Sequence, residues 1–314
     1  TTHVNGYTAP FQIVITDDDH QLFDIDVASY YPNIILGQGL YPKHLTKKFL
    51  TVYKSIVDRR IHAKRTGDKV TADSLKISIN GSYGKFGSQY SFLFSPDLLI
   101  QTTLTGQLCL LMLIERVESV GAKVVSANTD GIVVHCHNDL VSAVIAEYQQ
   151  WELDTGFELE QTNYNALYSR DVNNYVAVKP GGGVKGKGVF AEPGLTKNPS
   201  TPICYEAVRQ YLANGSPIKQ TIMSCDDVTQ FLAVRTVKGG ARWRDEYLGK
   251  TVRWYYSTDN ATIHYVSNGN KVPKSDGAKP MMDLVNTVPA DIDYQWYINH
   301  SHKLLDSLGY TLDT

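Results

Sequence analysis

The chain has 314 residues, of which 42% are hydrophobic and 20% are charged, a composition typical of a globular protein. This length allows one large domain or two to three packed subdomains, and the composition excludes a disordered tail, a collagen-like fibre and a coiled-coil rod. The formal net charge of −2 at first argues against a nucleic-acid partner, which would require a basic surface.

The first 90 residues predict a β-hairpin followed by two helices. Residues 11–15 and 22–28 alternate apolar and polar side chains on either side of a polar turn, a pattern typical of paired strands. Apolar residues at helical spacing then predict helices over residues 46–65 and 71–81, separated by a Gly-Asp pair. The two helices are expected to pack as an antiparallel pair.

The remaining sequence predicts a buried helix, a second hairpin and a mixed C-terminal part. The helix covers residues 98–119, and strands at 122–127 and 132–136 flank Asn128–Gly131, where Asp-Gly should supply the positive φ angles of a tight turn. Further predicted elements are a helix at 140–151, strands at 175–179 and 188–190, and a helix at 205–213. A subdomain boundary is expected near residue 195.

No segment predicts membrane insertion or a disulfide framework. The longest purely apolar run covers residues 109–114, against the roughly 20 residues that a bilayer requires, and no leader-like segment opens the sequence. The four cysteines have no CxxC spacing, which indicates a reducing compartment. His135 and His137 share a predicted strand face without a further ligand pair, so no zinc site is expected.

Charge is unevenly distributed along the chain. Residues 47–65 carry seven Lys or Arg side chains against one acidic residue, and residues 235–253 carry six against two. Acidic residues concentrate elsewhere, beginning with five aspartates within residues 17–26. Such segregation suits a protein that binds a polyanion on one surface and metal ions at another. The small net charge therefore does not exclude nucleic acid.

Three short motifs, in order along the chain, resemble those of the family B DNA polymerases. Asp26-Val-Ala-Ser29-Tyr30-Tyr31-Pro32 resembles motif A (D-x-x-S-x-Y-P), and Lys76-Ile-Ser-Ile-Asn80-Gly81-Ser82-Tyr83-Gly84 resembles motif B (K-x-x-x-N-S-x-Y-G). Asn128-Thr129-Asp130-Gly131 resembles motif C (D-T-D-S). Alone, each aspartate is typical of a solvated strand end or turn. The ordered set is specific over about residues 20–135, and the general character of the chain resembles the phage-type members.

The resemblance implies two-metal phosphoryl transfer to a primer 3′ hydroxyl. It implies that Asp26 and Asp130 bridge two Mg²⁺ ions, for which Mn²⁺ can substitute, with the carbonyl of Val27 as a further ligand. Tyr31 corresponds to the tyrosine that lies under the nucleotide sugar and excludes a 2′ hydroxyl, although a core aromatic is the alternative. Ser29 and Tyr30 would lie in the same nucleotide site.

Basic residues of the predicted helix pair complete this nucleotide site in the resemblance. Arg60 and Lys64 are four residues apart, as are Lys76 and Asn80, so each pair shares one helix face. The family places such side chains against the triphosphate, where they neutralise the leaving pyrophosphate and Lys76 can protonate it. The alternative is a solvated cationic helix face.

Motif C departs from the family at its first position. Asn128 replaces the usual Asp, so it can bind water or contact DNA but brings no negative charge. We expect an active enzyme with weaker metal affinity or a changed metal preference. The alternative is a weakened or inactive relative that acts as a DNA-binding module. A reverse transcriptase or RNA polymerase would share the carboxylates but not this motif B spacing.

Several residues are expected to contact primer–template DNA. Tyr83 would lie beside the nascent base pair. The glycine-rich segment 181–188 nearly fits a P-loop but lacks the final Ser or Thr, so we interpret it as a hairpin turn whose Lys185 and Lys187 contact primer phosphates. The second basic run would hold duplex phosphates without base recognition through Lys238, Arg242, Arg244 and Arg253.

The expected fold is therefore α+β, a right-hand polymerase with an antiparallel palm sheet, two-helix fingers and a mixed thumb. Residues 1–45 and 89–195 would form the palm, 46–88 the fingers and 196–314 the thumb. The expected activity is that of a DNA-directed DNA polymerase in phage DNA replication, with dNTPs as substrates and no membrane partner, in the cytoplasm of a bacterial or infected host cell.

Two features of the family are expected to differ in this chain. The family's 3′–5′ exonuclease domain precedes motif A, and the 25 residues before Asp26 are too few for one. Proofreading is thus expected in a missing N-terminal region, in a separate chain, or not at all. Residues 32–75, 44 in all, leave no room for the insertion of the protein-primed branch, which favours nucleic-acid priming.

Overall fold

The computed structural model describes residues 12–191 and 198–310, which form a mixed α+β fold with three four-stranded sheets. The first elements in chain order are β1 (Gln12–Ile15), β2 (His20–Val27), α1 (Tyr30–Gly37), α2 (Lys48–Thr66), α3 (Lys69–Lys85), α4 (Pro96–Ser119), β3 (Lys123–Ala127), β4 (Gly131–His137), α5 (Val141–Thr155) and β5 (Leu159–Tyr164). The following elements are β6 (Ala166–Asp171), β7 (Asn174–Val178), β8 (Val184–Lys187), α6 (Pro202–Asn214), α7 (Ile218–Met223), β9 (Ala233–Trp243), β10 (Glu246–Tyr256), β11 (Ile263–Tyr265), β12 (Ala278–Pro280) and α8 (Tyr294–Asp306).

The described chain divides into two compact units with separate hydrophobic cores. Unit 1 contains residues 16–163, and its core includes Phe23, Ile114 and Trp151. Unit 2 contains residues 12–15 and 164–310, and its core includes Phe231 and Tyr297. The boundary predicted near residue 195 lies outside the described residues, and the assignment of palm, fingers and thumb stays a prediction.

The sheet of unit 1 has the strand order β3-β4-β2-β5. β2 pairs antiparallel with β4 along its length, from His20 opposite His137 to Asp26 opposite Gly131. Phe23 and Ile25 are completely buried as predicted, but Leu22 and Asp24 on the other face are buried as well, so both faces of this part of β2 are covered. Because neighbouring side chains of a strand point to opposite faces, Asp26 lies on the face opposite to Ile25.

The predicted hairpin over residues 11–28 is wrong in its pairing. β1 pairs with β6 in unit 2, with Ile13 opposite Tyr168, whereas β2 pairs with β4 in unit 1. Alternation along a strand indicates which residues share a face, but it carries no information about which strand is the partner. Phe11, the first residue of the predicted strand, lies outside the described residues.

The predicted helix pair is confirmed as α2 and α3. α2 ends at Gly67, which adopts φ 76° and donates its amide to Ala63, and Asp68 begins α3 by accepting from the amide of Thr71 at 3.0 Å. The facing sides of the two helices are buried, and the Tyr53 hydroxyl reaches the carbonyl of Ile79 at 3.5 Å.

The long central helix α4 confirms the predicted helix at 98–119. Leu110, Leu113 and Val117 enter the core, and the indole of Trp151 on α5 donates to the carbonyl of Cys109 at 2.8 Å. Of the described helices, α4 alone is long and apolar enough to cross a membrane, with a mean hydropathy of 1.5 over a window that is 33% buried. This is weak evidence, because core helices meet the same criterion.

Unit 2 contains the sheets β1-β6-β7-β8 and β11-β9-β10-β12. Only the first part of the predicted turn at 181–188 is confirmed: residues 181–183 lie in the turn between β7 and β8, where the amide of Lys179 donates to the carbonyl of Gly183 at 2.7 Å, whereas Val184–Lys187 forms β8 itself. The predicted strand at 188–190 is wrong: β8 ends at Lys187, and Gly188–Phe190 is a short 3-10 turn that begins at the positive φ of Gly188. The predicted helix at 205–213 is confirmed as α6.

Candidate functional site

Asp26 and Asp130 come from adjacent backbone segments of unit 1. Asp26, the penultimate residue of β2, lies opposite Gly131, the first residue of β4. The amide of Val27 donates a 2.6 Å hydrogen bond to the carbonyl of Asp130. Asp26 is half-buried and Asp130 is exposed. Strand pairing therefore brings the two acidic residues together at one end of the sheet, where one of them is open to a ligand.

The turn before β4 requires glycine for a reason other than the predicted one. None of the residues Asn128–Gly131 has a positive φ, contrary to the expectation for Asp-Gly. Gly131 is instead required by a close approach, because a Cβ at this position would lie 2.3 Å from Asp26 Oδ1. The carboxylate of Asp26 thus lies against the backbone of Gly131, the residue that follows Asp130.

The side-chain oxygen of Asn128 is engaged within the turn. Oδ1 accepts from the amide of Thr129 at 2.7 Å and from its hydroxyl at 3.2 Å. An aspartate could accept the same two bonds and would add a negative charge. Asn128 therefore preserves the turn geometry of motif C without its charge, and a contact with DNA or water would fall to its Nδ2 group.

The oxygen ligands predicted for metal are present, but they do not form a complete protein site. No group of three or more His, Cys, Asp or Glu side chains that could hold a metal ion occurs among the described residues. Two carboxylates and the predicted carbonyl of Val27 fit Mg²⁺, which usually keeps several waters and takes substrate phosphates as ligands.

Tyr31 stacks with two other tyrosines, Tyr30 and Tyr83. Tyr31 stacks on Tyr83, with ring centroids 4.1 Å apart and ring planes inclined by 13°. Burial raises the pKa of Tyr31, and the neighbouring Tyr83 and the charge of Asp130 raise it further. Tyr30 is buried and donates its hydroxyl to the carbonyl of Gly106 at 2.5 Å, so only its backbone is left to meet a nucleotide.

Ser29 and Arg60 connect α1 with α2. Ser29 precedes α1 in the left-handed region, at φ 49°, and its hydroxyl accepts from Arg60 Nη1 at 2.9 Å. Arg60 Nε is buried without a hydrogen-bond partner, whereas the neighbouring Arg59 is exposed. The guanidinium of Arg60 therefore lies at the N-terminus of α1, where backbone amides also favour an anion.

The other predicted nucleotide-binding residues are more exposed. Lys64 Nζ forms an ion pair with Glu160 Oε1 on β5 at 2.9 Å, and both side chains are largely exposed. Lys76 and Asn80 are exposed one turn apart on α3. Lys64 is thus engaged with an acidic residue of unit 1.

The predicted DNA-binding residues of unit 2 fall into three groups. Lys185 and Lys187 lie on β8 over the rings of Tyr164 and Tyr175, at 5.9 and 5.7 Å from the ring centroids. Lys238 and Arg242 are exposed on β9, and Arg253 is half-buried on β10. Arg244 differs, because it is bonded to Asp259 at 2.7 Å and lies 4.1 Å from the ring centroid of Trp243. Its guanidinium is therefore held within unit 2.

Two residues of unit 1 contact the predicted site residues and were not predicted from the sequence. Glu160 pairs with Lys64, and Thr103 on α4 forms a 2.5 Å hydrogen bond with the hydroxyl of Tyr83. Neither residue belongs to one of the three motifs. The one signal for Thr103 is a hydroxyl in a largely apolar helix.

A histidine cluster lies at the other end of β2. His135 and His137 share a face of β4 as predicted, and the rings of both lie near His20, at centroid distances of 5.0 and 5.4 Å. His20 is hydrogen-bonded to Asp17 at 2.7 Å. Burial and the adjacent His20 lower the pKa of His135. These contacts describe packed imidazoles rather than a convergent ligand set.

Comparisons with known proteins indicate distant similarity to DNA polymerases. No family model matches the chain. It is 24% identical over 185 residues to DNA polymerase 1 of Aeropyrum pernix, a stretch covering 55% of this chain and 18% of that protein. It is 23% identical over 159 residues to DNA polymerase 1 of Sulfurisphaera ohwakuensis, covering 51% of this chain and 17% of that protein.

The fold is similar to that of a family B DNA polymerase from Pyrobaculum calidifontis. The TM-score is 0.53 at 13% sequence identity, and the match covers 100% of this chain and 48% of the other. The chain therefore spans about half of this structural relative, and its matched segments span less than a fifth of the two sequence relatives. The α+β class with antiparallel sheets agrees with the expected fold.

Proposed function

We propose that this chain is the polymerase core of a family B DNA polymerase, which extends a primer 3′ end with dNTPs during phage DNA replication. The observation that carries the proposal is the pairing of Asp26 with Gly131, which brings Asp26 beside Asp130. The Tyr31–Tyr83 stack and Arg60 lie in the same unit. Distant similarity to archaeal DNA polymerases supports the same class of activity.

Asp26, Asp130 and the carbonyl of Val27 would hold two divalent ions, which when bound lower the pKa of the attacking hydroxyl and neutralise charge on the triphosphate. The chain's part is to hold the two carboxylates in position before substrate arrives. The 2.6 Å bond from the Val27 amide to the Asp130 carbonyl and the close contact of Asp26 with Gly131 support this proposal, because they fix the backbone that carries both carboxylates.

The triphosphate would be bound at the N-terminus of α1. Arg60 places its guanidinium beside Ser29 there, and guanidinium groups bind phosphate oxygens well. Lys64 would exchange Glu160 for phosphate, and Lys76 would donate a proton to the leaving pyrophosphate. Tyr31 would lie under the sugar, supported by Tyr83.

Duplex DNA would be bound in part by unit 2. Lys238, Arg242 and Arg253 present cations on the β9–β10 hairpin, and Lys185 and Lys187 add two more on β8. Contacts of this kind hold phosphates irrespective of base sequence. We also propose that a separate chain or a further N-terminal region supplies 3′–5′ exonuclease activity.

A catalytically weakened DNA-binding relative is the second candidate, and Asn128 favours it. Its Oδ1 is engaged by Thr129, and no charge replaces that of the usual aspartate. If this candidate is correct, the chain will bind primer–template DNA but will not extend it with either Mg²⁺ or Mn²⁺.

Primer extension tests both candidates. The chain is incubated with primer–template DNA, Mg²⁺ or Mn²⁺, and dNTPs or rNTPs, and duplex binding is measured in parallel. Asp26→Asn and Asp130→Asn should each lower extension by roughly two orders of magnitude or more, because each removes charge that stabilises the transition state. Asp139→Asn is the matched control, since this carboxylate is 88% exposed in the same unit. Unchanged extension in both site variants would refute the assignment.

A further inference from the structure

The hydroxyls of Tyr83 and Thr103 form a directed hydrogen-bond chain. Thr103 Oγ1 lies 2.5 Å from Tyr83 Oη and 2.7 Å from the carbonyl oxygen of Leu99. A carbonyl can only accept, so Thr103 donates its single proton to Leu99 and must accept from Tyr83. The Tyr83 hydroxyl therefore points its proton toward α4, which fixes the rotation of that hydroxyl.

Tyr31 is connected to this chain through Tyr83. The two rings are nearly parallel at 4.1 Å, so the face of Tyr83 is the surface on which Tyr31 rests. Burial and the adjacent Tyr83 raise the pKa of Tyr31. Three helices thus meet through three side chains: Tyr31 on α1, Tyr83 on α3 and Thr103 on α4.

We infer that Thr103 is a positioning residue that holds Tyr83, and through it Tyr31, and thereby sets the discrimination between deoxyribonucleotides and ribonucleotides. The inference rests on the proposed function, in which Tyr31 lies under the sugar. Thr103 acts through Tyr83 rather than by a hydrogen bond to the nucleotide, because its hydroxyl is already engaged by Tyr83 and Leu99. Removing it leaves the Tyr83 hydroxyl without its acceptor and frees the ring on which Tyr31 is stacked.

The test compares three substitutions on α4. Thr103→Val keeps the side-chain shape but removes the hydroxyl, whereas Thr103→Ser keeps the hydroxyl. Thr102→Val is the matched control, because Thr102 is completely buried and its Oγ1 has no hydrogen-bond partner. The measured quantity is the ratio of kcat/KM for a dNTP to that for the corresponding rNTP. Thr103→Val should lower this ratio about 3- to 10-fold, as expected for loss of one hydrogen bond. Thr103→Ser and Thr102→Val should retain it.

A double-variant cycle separates a specific role from general damage. In a Tyr83→Phe background, which lacks the donor, Thr103→Val should cause little further change in the ratio. An unchanged ratio in the single Thr103→Val variant would overturn the inference, as would an equal loss in the Tyr83→Phe background. If the wild-type chain extends primers but Thr103→Val leaves the ratio unchanged, the inference alone is refuted. If the wild-type chain does not extend primers at all, the proposed function is refuted and the inference with it.

Discussion

Gly131 lies directly against the carboxylate of Asp26. A Cβ on Gly131 would come within 2.3 Å of Asp26 Oδ1 and within 2.8 Å of the carbonyl oxygen of Ile25. The second contact is with backbone of β2, which cannot move without disturbing its pairing with β4. The glycine of this chain therefore determines where the Asp26 carboxylate can lie.

Gly131→Ser, which introduces the residue usual in motif C of the resembling family, should strongly reduce primer extension. The added side chain would displace Asp26 or part the strands, and such overpacking typically costs about 1–3 kcal/mol. We expect at least a roughly tenfold loss of kcat/KM together with a lower Tm. Gly81→Ala is the control, since a Cβ there meets nothing within 4 Å, and it should slightly raise the Tm. Full activity in Gly131→Ser would show that the strands adjust freely.

Arg60→Lys should raise the KM for dNTP about tenfold, with a smaller change in kcat. Lysine keeps the charge but loses the planar donor set that reaches Ser29 at 2.9 Å. The exposed neighbour Arg59 provides the matched control as Arg59→Lys. Steady-state kinetics over a range of dNTP concentrations measures both variants. Equal effects at the two positions would indicate a general contribution of helix charge.

The helices and the neighbourhood of the two aspartates were predictable because their signals are local. The Gly67-Asp68 pair ended one helix and began the next as expected, through the left-handed conformation of the glycine and the cap of the aspartate. The Asn128–Gly131 segment likewise forms a turn between strands, although its glycine serves a close contact rather than a positive φ.

Long-range contacts were not predictable in the same way. The partner of β1 is β6, about 150 residues along the chain, and alternation within β1 contains nothing that selects it. The engagement of Arg244 by Asp259 and of Lys64 by Glu160 depends on the fold in the same manner. A run of cations in the sequence therefore does not distinguish a free cation from one that is already paired.

Asp291 should contribute to the stability of unit 2 at neutral pH. It accepts hydrogen bonds from Tyr255 and Ser257, both at 2.9 Å, and forms a 2.5 Å ion pair with Lys279. Burial alone would raise the pKa of Asp291, but bonds from Lys279, Tyr255 and Ser257 outweigh it and lower the pKa below its ordinary value of 3.8. This stabilisation is present above that value and is lost as the pH falls through the lowered pKa.

Asp291→Asn should therefore destabilise the protein by about 1–3 kcal/mol near pH 7. The difference in Tm between variant and wild type should begin to shrink as the pH falls below about 4 and vanish below the lowered pKa of Asp291, where the aspartic acid is as neutral as asparagine. Thermal unfolding at a series of pH values measures this, with the exposed Asp283→Asn as control. A Tm difference independent of pH would mean that the charge of Asp291 contributes nothing.

Arg242 and Arg244 should respond differently to neutralisation, although they are two residues apart. Arg242 is exposed on β9, whereas Arg244 adopts φ 53° in the hairpin turn and is held by Asp259 and Trp243. Arg242→Gln should weaken duplex binding and reduce the slope of log affinity against log salt by about 0.9, the value for one phosphate contact. Arg244→Gln should leave the slope unchanged and lower stability by up to about 1 kcal/mol.

Fluorescence anisotropy with a labelled duplex at several salt concentrations, together with thermal unfolding, separates the two effects. An equal change of slope for both variants would mean that DNA displaces Asp259 from Arg244, and no change for Arg242 would remove this face of the hairpin from the DNA-binding surface.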